Sequence, residues 1–368
     1  MLRNQNILGA GKDFLARLLI SEFFVLVLGV VYFFLISAFV PTMLNINNIR
    51  NIFSNMWPLF AIAIGQTFVL LLGGIDLSQT SVMALSSVIG AVLMTRSANP
   101  DVLGNSPLWG WFLTENGGPL AAYPQLVSTL LGIGAMLVTG LIIGTINGVL
   151  IAKLSMPPFM VTLIAQMFYS ALAILITKSQ NVMGLPDSFC VIGAGRIGFI
   201  PYSFFVAVAL AAAAQFVLSR TVRGRWIYST GANIRAAKVS GVPTVNTTVF
   251  VYAFSGFCAA AGSVLYSGRL MMGRPTLGAN ILMDIMGATI IGGTSLFGGK
   301  GKITWTLFGV LFYTIMTTSL TQLRLDAFTI DVVKGLIILA AGTMDVMRTH
   351  IQRRVTIAAA PAAGRKVA

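Results

Sequence analysis

Charge is scarce in this sequence. Only 9% of its 368 residues are Asp, Glu, Lys or Arg, against about 25% in an ordinary soluble domain. Water is therefore excluded as the main solvent. Cysteine is nearly absent too, with Cys190 and Cys258 alone. Two such positions make neither a disulfide framework nor a metal spacing. Cys258 falls in an apolar block and Cys190 in an expected loop, so both read as unpaired. The single histidine, His350, sits among basic residues and reads as a solvated surface group. Acidic residues number 10 against 24 basic, a net charge of +14. A nucleic-acid partner would need that excess gathered on a soluble face. The basic residues fall between apolar runs instead, which excludes it. No nucleophile–base pair or metal cluster is present, so neither an enzyme nor a cofactor is expected.

What the chain does have is apolar length. Hydrophobic residues make up 56%, and the 38 glycines suit close helix packing in lipid. Apolar blocks long enough to approach the ~20 residues of a membrane crossing fall near 20–40, 56–72, 78–95, 125–152, 158–177, 202–219, 246–266, 283–297, 303–321 and 328–347. The first, from Phe23 to Val40, exceeds a signal-peptide core and has no small-residue cleavage site before Pro41. It reads as a retained crossing. The expected fold is an all-α polytopic membrane protein with about ten transmembrane helices and both termini cytoplasmic.

Charge placement supports that orientation. Sixteen of the 24 basic residues fall on segments assigned to the inside, among them Arg3, Lys12, Lys153, Arg220, Arg223, Arg225, Lys300 and Arg348. Eight lie outside or at outer helix ends. That asymmetry obeys the positive-inside rule. The acids Asp101, Glu115, Asp187, Asp284, Asp326 and Asp331 all lean outward. The expected divisions are a cytoplasmic segment 1–19, a transmembrane domain 20–347 and a basic cytoplasmic tail 348–368, read as unstructured after Ile351. A periplasmic loop covers 96–124 and a cytoplasmic loop 220–245. A faint parallel repeat pairs Gly73-Gly74-Ile75-Asp76-Leu77 with Gly292-Gly293-Thr294-Ser295-Leu296.

Two nucleotide-like motifs fail on context. Gly193-Ala194-Gly195-Arg196-Ile197-Gly198 matches the dinucleotide fingerprint, but a membrane helix without Asp or Glu follows it. It reads as an outer loop turning on glycine. Residues 294–301 approach a phosphate loop, but Thr294 stands where Gly is needed and Gly301 where a hydroxyl is needed. Any ATP-driven step would belong to another chain.

Two regions remain. Asp76 is flanked closely by two membrane blocks, where a carboxylate must be buried in protein or face water. It reads either as a cavity or gate residue or as the cap of the third helix in Asp76-Leu77-Ser78. In the inner loop, Gly231 and Gly241 bracket Ala232 to Ser240, a segment sized for two helical turns. Asn233 can cap it, Ala236 and Ala237 favour it, and Gly241 with Pro243 ends it.

Residues 65–87 (GQTFVLLLGGIDLSQTSVMALSS), 146–163 (INGVLIAKLSMPPFMVTL), 224–242 (GRWIYSTGANIRAAKVSGV) and 290–301 (IIGGTSLFGGKG) resemble the signatures of the ribose-type ABC permease family, in its order and spacing. Tyr252 to Gly256 fits as well. The outer loop is longer than usual, Gln79-Thr80 replaces Val-Gly, and the tail is extended, which bears on substrate and binding-protein specificity. The resemblance implies a permease subunit of a bacterial monosaccharide importer. Its implied partners are a cytoplasmic ABC ATPase, a periplasmic sugar-binding protein, a second permease chain and the inner-membrane bilayer. It also implies that Gly231, Asn233, Ala236, Ala237, Ser240 and Gly241 couple to the ATPase. Asp76, Ser78, Asn147, Thr294 and Ser295 are the candidates for the translocation path or its gate. A permease for a nucleoside, polyol or autoinducer is the near alternative. An ion-coupled carrier is the distant one, because such carriers place more ionisable groups inside their helices.

Overall fold

The computed structural model describes residues 23–359, and side chains through Thr343. In chain order the helices are α1 (Phe24–Phe39), α2 (Ile46–Leu71), α3 (Gln79–Met94), α4 (Pro100–Leu103), α5 (Gln125–Lys153), α6 (Pro158–Thr177) and α7 (Asp187–Ala194). A two-residue hairpin, β1 (Arg196–Ile197) with β2 (Ile200–Pro201), leads into α8 (Tyr202–Arg220). Then come α9 (Val222–Ala232), α10 (Ile234–Val239), α11 (Thr244–Leu270), α12 (Leu282–Gly292), α13 (Ile303–Gln322) and α14 (Ala327–Ala359). A 3-10 turn, Pro41–Leu44, joins α1 to α2.

Helix dominates because hydrocarbon offers a backbone no hydrogen-bond partners, so each spanning segment must satisfy its own. Among the described residues, α2, α5, α6, α8, α11 and α13 are long and apolar enough to cross a bilayer. The shorter apolar helices are α1, α3 and α12. This is an all-α polytopic membrane protein.

The core is built on α2, α3 and α11. Met56 to Leu71 of α2 are buried without a gap, as are Gln79 to Val88 of α3 and Cys258 to Leu265 of α11. Outward-facing α5, α6 and α8 expose apolar side chains such as Leu130, Phe168 and Phe216. In water those surfaces would cost free energy, and in lipid they are solvated. Helices α5 and α11 touch backbone to backbone. A methyl group on Gly140 would overlap the Gly256 carbonyl, and one on Gly144 the Tyr252 carbonyl. Close contact of this kind replaces the hydrophobic drive that lipid removes.

Loops assigned to one side meet at one end. At the end expected to be outside, Thr95 Oγ1 donates to the Met183 carbonyl (2.6 Å), and Val182 and Gly273 exchange backbone bonds. The 96–124 loop folds back there, with Arg96 Nη1 donating to the Ala121 carbonyl at 2.7 Å. At the opposite end Tyr228 donates to the Gly301 carbonyl at 2.8 Å.

Several boundaries differ from expectation. Helix α2 starts ten residues before its apolar block, because Asn45 caps it through the Asn47 amide and its first turns are polar. Block 283–297 stays apolar to its end, yet its helix stops at Gly292, leaving 11 residues or ~17 Å at 1.5 Å per residue. That is about half a bilayer. The tail read as unstructured after Ile351 continues as α14 to Ala359. The segment 1–19 and residues 360–368 of the tail lie outside the described residues. Cys190 sits on α7 and not in a loop; both cysteines are free and buried. The glycine-rich stretch 193–198 begins as the end of α7 and turns at Gly198 between β1 and β2.

Candidate functional site

Two helix breaks lie near one end of the bundle, at 72–78 between α2 and α3 and at 293–302 between α12 and α13. They are the two segments of the faint repeat. Each opens on a glycine in the left-handed region, Gly73 at φ +75° and Gly293 at φ +108°, where an L side chain is strained. The left-handed glycine is the first of the pair in one break and the second in the other. The repeat is thus architectural and not residue for residue.

The first break holds a buried carboxylate. Asp76 Oδ1 accepts from the Ser78 amide at 3.0 Å and the Ser78 hydroxyl at 2.6 Å. Its Oδ2 accepts from Ser255 on α11 at 2.7 Å. Behind each serine stands an amide: Asn147 Nδ2 of α5 donates to Ser78 Oγ at 2.9 Å, and Gln79 Nε2 to Ser255 Oγ at 2.8 Å. Each amide donates to a serine that itself donates to the carboxylate, so the group is held through the break, α3, α5 and α11 at once, with no cation bonded to it among the described residues. The Tyr252 hydroxyl is also buried there, against Gly74, and has no hydrogen-bond partner among the described residues.

This corrects the capping reading of Asp76. The N-cap of α3 is Ser78, which makes no side-chain cap bond. Asp76 instead forms a turn ahead of the helix and ties the break to α11. Asp76, Ser78 and Asn147 share one network, each about 1% exposed. Thr294 and Ser295 are buried on the other break, outside that network. The Ser295 amide donates to the Lys300 carbonyl at 2.9 Å, closing the turn. Thr294 Oγ1 has no hydrogen-bond partner among the described residues. Gln79 and Ser255 belong to the Asp76 network and Tyr252 lies buried beside it, but all three were missed as candidates. Their signal was that each is polar inside an apolar block.

The inner loop is more ordered than a connector. Helix α9, capped by Thr221 onto the Gly224 amide, was not foreseen. Helix α10 begins as expected, with Asn233 Oδ1 accepting from the Ala236 amide at 3.0 Å. Of the six coupling candidates, Asn233, Ala236, Ser240 and Gly241 are exposed, whereas Ala237 is buried and Gly231 packs inward on Leu71. Two apolar residues outside that set, Ile234 (57% exposed) and Val239 (90%), stand on the short helix. Arg235 and Lys238 flank them, also exposed.

Among the described residues no group of His, Cys, Asp and Glu could hold a metal. The comparisons with known proteins agree with one another. Residues 48–342 match the family described as branched-chain amino acid transport system / permease component. The chain is 30% identical over 315 residues to the ribose import permease protein of Haemophilus influenzae, covering 84% of this chain and 88% of that one. It is 30% identical over 325 residues to the D-allose transport system permease protein of Escherichia coli, covering 88% and 90%. Against the L-arabinose ABC transporter permease protein of Azospirillum brasilense the identity is 26% over 339 residues, covering 92% and 91%. No solved structure matches the chain.

Proposed function

Because the chain belongs to the branched-chain amino acid transport system / permease component family, we propose that it is the permease subunit of a bacterial ABC importer whose cargo is a monosaccharide. It is a multi-pass protein of the inner membrane. Relatives named for ribose, D-allose and L-arabinose support the cargo class. In this reading the chain crosses about ten times with both termini cytoplasmic, and a second permease chain completes the pore. A periplasmic binding protein delivers the sugar over the face that carries the 96–124 loop. The chain itself carries out no catalysis; ATP is hydrolysed by a separate cytoplasmic ATPase.

Helix α10 carries the proposal for the ATPase contact. A helix of six residues with Ile234 and Val239 in the open is unsuited to water unless something covers it, and a groove on a partner would do so. The neighbouring Arg235 and Lys238 add positive charge at the rim. Ala236, exposed and small, marks where the fit is tight. Ala236→Glu is expected to insert at normal abundance, lose ATPase co-purification and lose uptake of labelled sugar by more than tenfold. Unchanged uptake at wild-type abundance would refute the assignment. Reporter fusions after Arg223 and near Gly110 should read cytoplasmic and periplasmic; opposite signals at both sites would overturn the topology.

A further inference from the structure

Three stretches of backbone meet where α9 ends. The Gly231 Cα faces the Leu71 carbonyl at the end of α2, so closely that a methyl group there would overlap the oxygen. From the other break, the Gly299 amide donates to that same Leu71 carbonyl at 2.8 Å. A methyl group on Gly298 would come within 2.7 Å of the Gly231 carbonyl and 2.9 Å of the Gly73 amide. Tyr228, one turn earlier on α9, donates to the Gly301 carbonyl at 2.8 Å. No flexible side chain intervenes at the Leu71–Gly231–Gly299 contact. Backbone touching backbone offers no rotamer that can yield, so one strand cannot slide without displacing the other two.

We propose that Gly231 and Ala232 form a rigid joint through which displacement of α10 reaches both helix breaks together. The proposal rests on the permease reading above and refines it. Gly231 then acts as a positioning residue and not as a partner contact. Residues 71–74, 297–299 and 231–232 move as one body. Leu71 leads within five residues to Asp76, whose bonds to Ser78 and Ser255 carry the displacement into α3 and α11. The second break leads through Thr294 to α12.

The test is a crosslink across the joint. A Cβ on Gly299 would lie 3.1 Å from the Ala232 Cβ, a few tenths of an ångström inside the ~3.5–4.5 Å of a disulfide. Ala232→Cys with Gly299→Cys, in a chain carrying Cys190→Ser and Cys258→Ala, should oxidise to an intramolecular bond. Uptake of radiolabelled D-ribose, L-arabinose and D-allose is measured in proteoliposomes holding this chain with its partner ATPase and periplasmic binding protein. A rigid joint predicts that oxidised and reduced samples differ by less than twofold. A loss above tenfold on oxidation, restored by reductant, would overturn the joint, as would failure of the bond to form in folded protein. Uptake absent from the reduced sample and from the cysteine-substituted parent would count against the permease reading instead. Gly299 has φ +71°, so Cys there is strained. Should that variant fail to assemble, hydrogen exchange on the native chain decides. The Gly299 amide should stay equally protected with and without ATP turnover, and faster exchange during turnover would refute the joint.

Discussion

Among the described residues, Asp76 and Asp284 are carboxylates packed into the helix bundle, and they are stabilised in opposite ways. Asp76 accepts only from neutral donors, an amide and two hydroxyls. Asp284, on the half-length α12, accepts from Lys334 Nζ at 2.8 Å and from the Tyr313 hydroxyl at 2.9 Å. Asp331, 63% exposed, lies 3.7 Å from the same lysine. The first arrangement gathers many short-range bonds around one break in the backbone. The second is a charge pair spanning 50 residues of sequence, joining the last described helix to a helix too short to cross alone. A neutral network holds a local shape and tolerates a change of its central charge. An ion pair between two helices holds them together and tolerates the loss of neither member alone.

Breaking each arrangement sharpens that contrast. The largest effect is expected for Lys334→Met, which leaves the partly buried Asp284 without its cation. Removing one partner of a fully buried pair costs about 3–5 kcal/mol; that is the upper bound here, seen as a fall in thermal stability in detergent. Adding Asp284→Asn should recover most of it, because the stranded charge is gone; a double variant no better than the single one would contradict the pairing. Asp76→Ala comes next. The Ser78 amide cannot rotate to a new acceptor, so at least that donor's loss of about 1–3 kcal/mol is expected. Asp76→Asn should cost less, since its oxygen still accepts both Ser78 bonds and only the Ser255 hydroxyl must find another acceptor. Equal destabilisation by Asn and Ala would show that charge, not geometry, holds the break.

The smallest effect is at the entry to α14. The Thr329 hydroxyl and amide both donate to the exposed Asp326 carboxylate, at 2.6 and 3.0 Å, and hold its pKa below the usual 3.8. A pKa lowered by folding stabilises the ionised form. The contribution is therefore present above about pH 4 and is lost as pH falls through the folded value. Thr329→Val should move the Asp326 titration upward, read by NMR. An unmoved titration would remove Thr329 as the cause.

Local chemistry was legible in the sequence and long-range chemistry was not. The Asn233 cap of α10 could be read because a cap and the amide it binds lie three residues apart. All ten apolar blocks carry helix, because lipid leaves the backbone no other choice. The stop at Gly292 was invisible, since hydropathy stays high through Leu296 and Phe297 while the hydrogen-bond pattern changes. Helix α9 was missed because Arg223-Gly224-Arg225-Trp226 shows no apolar period, its order coming from the turn it packs against. Asn147, a polar group in an apolar block, was among the path or gate candidates, but its tie to Ser78 spans 69 residues. Ser255, 179 positions from Asp76, showed the same signal and was not read as a site residue. The six coupling candidates came from the resemblance of the loop to the family's, which does not separate Gly231, packed inward, from Ala236, small and exposed.

The account turns on Asp76 being an anchor of the first break, enclosed by neutral donors, and not a group that grips sugar or relays protons. The most direct measurement is transport by Asp76→Asn, with labelled monosaccharide uptake normalised to folded permease in the membrane. An anchor predicts uptake within tenfold of the parent, because asparagine keeps the Ser78 turn and the shape of the break. A loss above tenfold, with the protein intact and still bound to its ATPase, would contradict the account and make the charge of Asp76 part of transport itself.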